Sequence, residues 1–245
     1  MISIRHLFVR SRERDLLADV CTEVANGELL GVIGPPEAGK TLCLKAIAGL
    51  VPIAAGEIWA DGARVDNLTG DAALSWQRQI GMAFQNDALF DGLSVFENVA
   101  FPLRRRGLAE TEIRDRVSAR LADVGLSDAA LKLPRELSGG MQKRVGVARA
   151  TVVTPAVALF DEPVAGLDPV SACRILDLIA LISCGKDTAT IIVCNDLPAI
   201  LPLADRVLML KGGETVYDGR PADLATAVRP EARAFATGRE LGAEG

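Results

Sequence analysis

Four short segments in a set order restrict this chain more than any bulk property does. They are Gly34-Pro35-Pro36-Glu37-Ala38-Gly39-Lys40-Thr41, Leu137-Ser138-Gly139-Gly140-Met141, Val157-Ala158-Leu159-Phe160-Asp161-Glu162 and Ala165-Gly166-Leu167-Asp168. The first fits G-x-x-x-x-G-K-[ST], a loop whose amides cradle phosphates while the lysine neutralises their charge and the hydroxyl reaches Mg2+. It opens a helix, and the helix N-terminus adds favourable potential for an anion. The third is an apolar run ending in two carboxylates. That is the pattern of a buried parallel strand delivering acids at its C-terminal end, where open α/β sheets bind ligands.

Taken singly, each segment has an ordinary reading. A Gly/Lys/Thr loop can be a turn before a helix, Leu-Ser-Gly-Gly a turn with a helix cap, and Asp-Glu-Pro a solvated turn. Their joint occurrence in this order points to one nucleotide site.

Composition agrees. A chain of 245 residues can bury a large core, and its alternating apolar strands and helical stretches suit one α/β domain with a helical insertion. The 27 Lys and Arg against 32 Asp and Glu, a net charge of -5, provide no basic face for nucleic acid. No stretch approaches the ~18 uninterrupted apolar residues of a spanning helix. Met1-Ile2-Ser3-Ile4-Arg5-His6 lacks the apolar core of a secretory signal, so a cytosolic location is expected. Cys21, Cys43, Cys173, Cys184 and Cys194 show no C-x-x-C spacing and are read as core or boundary thiols. The single histidine, His6, is read as structural or solvated.

Periodicity orders the rest. Strands are expected over 2–9, 16–24 and 28–33, the last feeding the phosphate loop, and a helix that buries Leu42, Leu44, Ile47, Ala48 and Leu50 follows. Gly56 to Gly62 reads as a strand and an Asp-Gly turn in an antiparallel patch. A strand over 80–84 stops at Gln85-Asn86-Asp87, and charged helices then run to about Pro134, with Arg104-Arg105-Arg106 as a solvated helix end. Helices over 142–151 and 170–181, strands over 190–194, 207–210 and 214–217, and a polar helical tail after Pro221 complete the pattern.

On these four motifs the chain is identified as a member of the ABC-type ATPases, and it resembles the ATP-binding subunits of bacterial ABC importers and exporters. The resemblance implies an α/β P-loop NTPase (RecA-like) fold with an antiparallel β patch and a helical insertion at about 86–150 in one domain, 1–245. It implies ATP and Mg2+ as ligands. Gly34, Gly39, Lys40 and Thr41 would hold phosphate, with Thr41, Gln85 and Asp161 at the metal and Glu162 polarising water. Gln85 matches the Q-loop glutamine. Ser138, Gly139 and Gly140 would contact the nucleotide of a second copy, and Asp168 matches the aspartate that communicates across such a dimer. Integral-membrane permease subunits are the implied partners, which puts the chain at the cytoplasmic face of the inner membrane.

Within that family the chain resembles the lipid-transport ATPases of Mla and Mce systems. The marks are Met141 after Leu-Ser-Gly-Gly, the basic pair Lys143-Arg144, the segment Phe90 to Leu103 and the tail Arg229 to Phe235. An MCE-type substrate-binding protein is therefore an implied partner.

Three departures stand out. Asn195 occupies the place of the family's γ-phosphate histidine, and an amide cannot carry a proton or positive charge. Losing one preorganised donor to developing charge typically costs about 10²–10³ in rate. Pro36 lacks an amide donor and Glu37 adds a carboxylate within the phosphate loop, and both should weaken phosphate binding. No aromatic lies in Arg10 to Glu13 to stack adenine, and Phe8 is the nearby candidate. Two readings follow: a working ATPase with Glu162, Gln85 and Asn195 as its catalytic set, or a catalytically weakened nucleotide-binding subunit with a structural or regulatory role.

Overall fold

The computed structural model describes residues 1–12, 14–85, 88–183 and 187–238. Glu13, Asn86, Asp87, Cys184 and the last residues to Gly245, each part of an expectation above, lie outside the described residues. In chain order the elements are β1 (Ile2–Ser11), β2 (Arg14–Val24), β3 (Leu29–Ile33), α1 (Lys40–Ile47), β4 (Ala55–Ala60), β5 (Ala63–Arg64), α2 (Gly70–Arg78) and β6 (Ile80–Ala83). There follow α3 (Val95–Arg105), α4 (Glu110–Asp123), α5 (Gly139–Thr151), β7 (Val157–Asp161), α6 (Pro169–Ser183), β8 (Ala189–Val193), α7 (Leu197–Ile200), β9 (Arg206–Lys211), β10 (Glu214–Gly219) and α8 (Pro230–Ala236), with three short 3-10 turns.

Two sheets form, as the switch between alternating and continuous apolar patterns predicts. The continuous runs β3, β7 and β8 are buried along their whole length. They sit inside a six-stranded sheet ordered β10-β9-β3-β8-β7-β6, parallel from β9 to β6. Such burial on both faces is what parallel strands require. The alternating strands β1 and β2 pair antiparallel in a second sheet ordered β2-β1-β4-β5. One core lies between this second sheet, α1 and one face of the parallel sheet. A second core packs α5, α6 and α7 on the opposite face.

Between β6 and β7, helices α3 to α5 close a third core of Val95, Val99, Leu103, Ile113, Val117, Leu121 and Val145. The start of α3 is set by a capping box: Ser94 Oγ accepts the Glu97 amide at 3.2 Å while Glu97 takes the Ser94 amide at 3.0 Å.

Local expectations shift in five places. Leu50, expected to be buried, is 49% exposed because α1 ends at Ile47 and the chain turns away before it. Helix α5 begins at Gly139, not Gln142, so both signature glycines lie in its first turn, with Ser138 as its cap. Helix α2 goes unannounced in the sequence because it buries only Trp76, and one buried residue leaves no 3.6-residue stripe. Cys43 and Cys194 are buried, but Cys21 and Cys173 are exposed. Arg106 is tethered as well as solvated, donating to the carbonyls of Val153 at 3.0 Å and Arg78. Among the described residues no helix is long and apolar enough to cross a membrane.

Candidate functional site

Strand register assembles the site. Val32 of β3 pairs with Val193 of β8, and Asp161 of β7 pairs with the same Val193, so three strands end at one level. Immediately beyond those ends stand Gly34 of the loop, Glu162 after β7 and Asn195 after β8. This is the carboxyl edge of a parallel sheet, where open α/β folds bind their ligands.

The loop reaches this edge by two close approaches that only glycine permits. At Gly34 (φ 140°) an added Cβ would lie 2.1 Å from the Leu210 carbonyl oxygen, and at Gly39 (φ 96°) it would lie 2.4 Å from Leu17 Cδ2. Glu37 adopts φ 62° with its side chain exposed, a left-handed conformation that L side chains resist. Glycine would take this conformation freely, so the sequence departure is also a backbone one.

Lys40, the first residue of α1, is 7% exposed and donates from Nζ to the carbonyls of Gly34 and Pro35, each at 2.8 Å. The ammonium thus arches over the loop. Burial lowers its pKa from the ordinary lysine value, opposed by the charges of Glu162 and then Asp161. Thr41 Oγ1 donates to Asp161 Oδ1 at 2.8 Å, which places a hydroxyl and a carboxylate side by side. Asp161 is 3% exposed, and burial raises its pKa against the lowering effects of Thr41, Lys45, Lys40 and Lys143. That donor pair, hard oxygens with no thiol or imidazole, suits Mg2+.

Glu162 sits at φ 48°, a second strained non-glycine residue. Its amide donates to the Val193 carbonyl at 3.0 Å, and its Oε2 accepts the Asn195 amide at 3.3 Å. Burial raises its pKa from the ordinary carboxylate value, opposed first by that amide and then by Lys40. A carboxylate displaced in this direction is a stronger proton acceptor once ionised. The Asn195 side chain is exposed and makes no hydrogen bond among the described residues.

A cavity of about 390 Å3 collects the loop residues Pro36 to Leu42 with Lys45, Gln85, Glu162 and Asn195. The expected residues Gly39, Lys40, Thr41, Gln85, Glu162 and Asn195 therefore converge. Gln85 is exposed at its rim, and its carbonyl is held by the ammonium of Lys143. Ser138, Gly139, Gly140 and Asp168 do not join them. They line a separate cavity of about 440 Å3 together with Arg144, Ser171 and Arg174. There Ser138 Oγ accepts the Met141 amide at 3.4 Å. Asp168 Oδ1 accepts the Val170 and Ser171 amides at 3.1 and 3.0 Å, and its hydrogen bonds with Ser171 lower its pKa.

Sequence reasoning missed Leu16, Lys45 and Lys143. Leu16, 37% exposed on β2, reaches the rim of the loop cavity, where the half-buried Phe8 does not. An exposed leucine within an alternating strand was the available signal. Lys143 is 8% exposed, and a buried lysine within a segment read only as a basic pair leaves no sequence mark.

The chain matches the ABC transporter family over residues 17–165. It is 39% identical over 227 residues to the methionine import ATP-binding protein MetN of Carboxydothermus hydrogenoformans, covering 91% of this chain and 67% of that one. It is 35% identical over 225 residues to the intermembrane phospholipid transport system ATP-binding protein MlaF of Haemophilus influenzae, covering 91% and 85%. Among solved structures it resembles the dimeric post-hydrolysis state of the ATP-binding cassette MJ0796 bound to ADP and Pi. The TM-score is 0.81 at 28% identity, over 90% of this chain and 99% of that one. With the phosphate loop, the paired acids and the separate signature cavity on one fold, this chain belongs to the ABC transporter family as an ATP-binding domain.

Proposed function

We propose that the chain hydrolyses ATP as one of two copies that close on nucleotide and thereby drive integral-membrane permease subunits from the cytoplasmic face of the inner membrane. The observation behind this reading is the separation of the two cavities. Lys40, Thr41 and Glu162 line one, with Asp161 hydrogen-bonded to Thr41, and Ser138 and Gly140 line the other, so each half-site needs a partner surface that the chain supplies elsewhere on itself. Two copies in head-to-tail apposition would complete two sites. The resemblance to a dimeric cassette supports it.

Bound Mg2+ would supply positive charge against the phosphate oxygens from beside Thr41, Asp161 and Gln85. Lys40 exchanges its carbonyl partners for phosphate oxygen and keeps its charge in a site where water is scarce. Glu162, held by the Asn195 amide, accepts the proton of the attacking water. Gln85 positions that water, and Asn195 donates a neutral hydrogen bond where charge develops.

For cargo we propose a phospholipid or another hydrophobic molecule moved across or between bacterial envelope membranes, with an MCE-type protein in the same system. Met141, the segment Phe90 to Leu103 and the likeness to a phospholipid-transport ATPase support this. A methionine-import relative is as similar, so the discriminating measurement is ATPase stimulation of the assembled complex by phospholipid against methionine. A second reading, a weakened subunit with a structural or regulatory role, is favoured by the exposed Asn195 carboxamide in place of an imidazole and the left-handed Glu37.

Light scattering of Glu162→Gln with ATP and Mg2+ tests the main reading. A trapped dimer is expected, because the base is lost and binding is kept. A protein that stays monomeric at saturating ATP, even with its permease present, overturns it.

A further inference from the structure

Outside the nucleotide site, β1 and β2 bring together three side chains whose chemistry the fold does not require. His6 Nδ1 lies 2.7 Å from Asp19 Oδ1, Cys21 Sγ lies 3.8 Å from His6 Nδ1, and Cys21 Sγ lies 3.9 Å from Asp19 Oδ1. All three residues are exposed, and their ligand atoms fall within 4.8 Å of one another. In the sequence they are separated by up to 15 positions, so no spacing rule brings them into view. The antiparallel pairing does. Its register shifts on either side of Leu7, and His6 and Asp19 take the left-handed φ values of 50° and 56° at this irregularity.

We propose that His6, Asp19 and Cys21 form a binding site for a divalent transition cation of the zinc class, held on the antiparallel sheet with its fourth coordination position open to solvent. The ligand set is one imidazole, one carboxylate and one thiol, a borderline-soft combination that selects such cations over Mg2+ or Ca2+. With metal–sulfur and metal–nitrogen bonds of about 2.3 and 2.0–2.1 Å, a tetrahedral site sets its ligand atoms about 3.3–3.6 Å apart. The three distances bracket that range, so rotamer adjustments of under about 1 Å close the site.

A separate feature of the sulfur points the same way. The His6 amide donates to Cys21 Sγ at 3.1 Å, which holds the sulfur beside the imidazole and the carboxylate. As a surface contact alone, His6 and Asp19 would contribute little, because their side chains are 75% and 62% exposed.

Titration of the freshly reduced full chain with Co2+ and with Zn2+, in excess Mg2+ to occupy the oxygen ligands of the nucleotide site, tests the proposal. One equivalent of Co2+ is expected to produce thiolate-to-metal charge-transfer absorption. Cys21→Ser should abolish that band, and Cys173→Ser, at another exposed cysteine, should leave it intact. His6→Gln should weaken Zn2+ binding at least about tenfold, the lower bound for losing even an outer-shell partner of a metal site. Both variants alter exposed side chains, and unchanged melting temperatures would verify their folding. A band that persists in Cys21→Ser, Zn2+ affinity unmoved by His6→Gln, or wild-type protein that takes up no stoichiometric metal would overturn it.

Discussion

Asn195 holds Glu162 by its backbone and not by its side chain: the amide N–H meets Glu162 Oε2 at 3.3 Å, while the residue is exposed at the cavity lining. The position therefore does two separable things. Any residue but proline can hold the Glu162 carboxylate this way, whereas the side chain alone decides which donor the position offers to the cavity.

Asn195→His should accordingly keep Glu162 in place and add a longer donor able to carry a proton. Turnover is expected to rise about tenfold, allowing for the donation that Asn195 already provides. Paired measurements of ATP affinity and hydrolysis in the assembled complex check this. Tight binding with unchanged turnover would show that the missing imidazole is not what limits the rate.

Glu162→Gln should make the nucleotide-free protein more stable at neutral pH. Burial raises the folded-state pKa of Glu162 above its unfolded value, so the folded state binds the proton more tightly. The associated stability is fully present below the unfolded pKa and is lost as pH rises through the folded one. Glutamine avoids that loss. Its advantage in melting temperature should be largest above the folded pKa and vanish on acidification into the ordinary carboxylate range. A pH series of melts measures it, and an advantage that grows toward acid would contradict the assignment.

Glu37→Gly should tighten nucleotide binding with little change in stability. Relief of the left-handed backbone, worth about 1–2 kcal/mol, is offset by the roughly 0.5–1 kcal/mol that glycine's extra unfolded-state freedom costs. Two unit charges at about 4 Å in water interact by about 1 kcal/mol, so removing the Glu37 charge should tighten binding by up to about fivefold. Calorimetric titration with ATP and Mg2+ reads this directly, and unchanged affinity would acquit Glu37.

Phe90→Asp should release the chain from its permease without unfolding it. Phe90 is 41% exposed, packs against Phe101 with ring centroids 4.7 Å apart and lies under the Arg149 guanidinium at 5.7 Å. With Met82, Phe84 and Phe101 it borders an apolar groove of about 420 Å3. Exposed apolar surface of this kind marks a partner site. Co-purification should fall at least tenfold while the melting temperature of the isolated chain holds. Retention of the permease would place the docking surface elsewhere.

The chain by itself determined the chemistry. Lysine, hydroxyl and paired acids at fixed spacing specify a phosphate site because few other side chains can do that work, and continuous apolar runs specify strands buried on both faces. Where those groups meet is set by long-range packing. Register set Asp161 and Val32 against the same Val193, and that long-range pairing has no local code. The packing of α5 and α6 carried Ser138 and Asp168 away from Lys40 into their own cavity. The left-handed turns at Glu37 and Glu162 were invisible because neither residue type favours them, and a conformation imposed by surrounding contacts leaves no trace in local propensity. Likewise, His6 and Cys21 became neighbours only when two strands paired, since a distance in space is set by the partner strand and not by the count of residues between them.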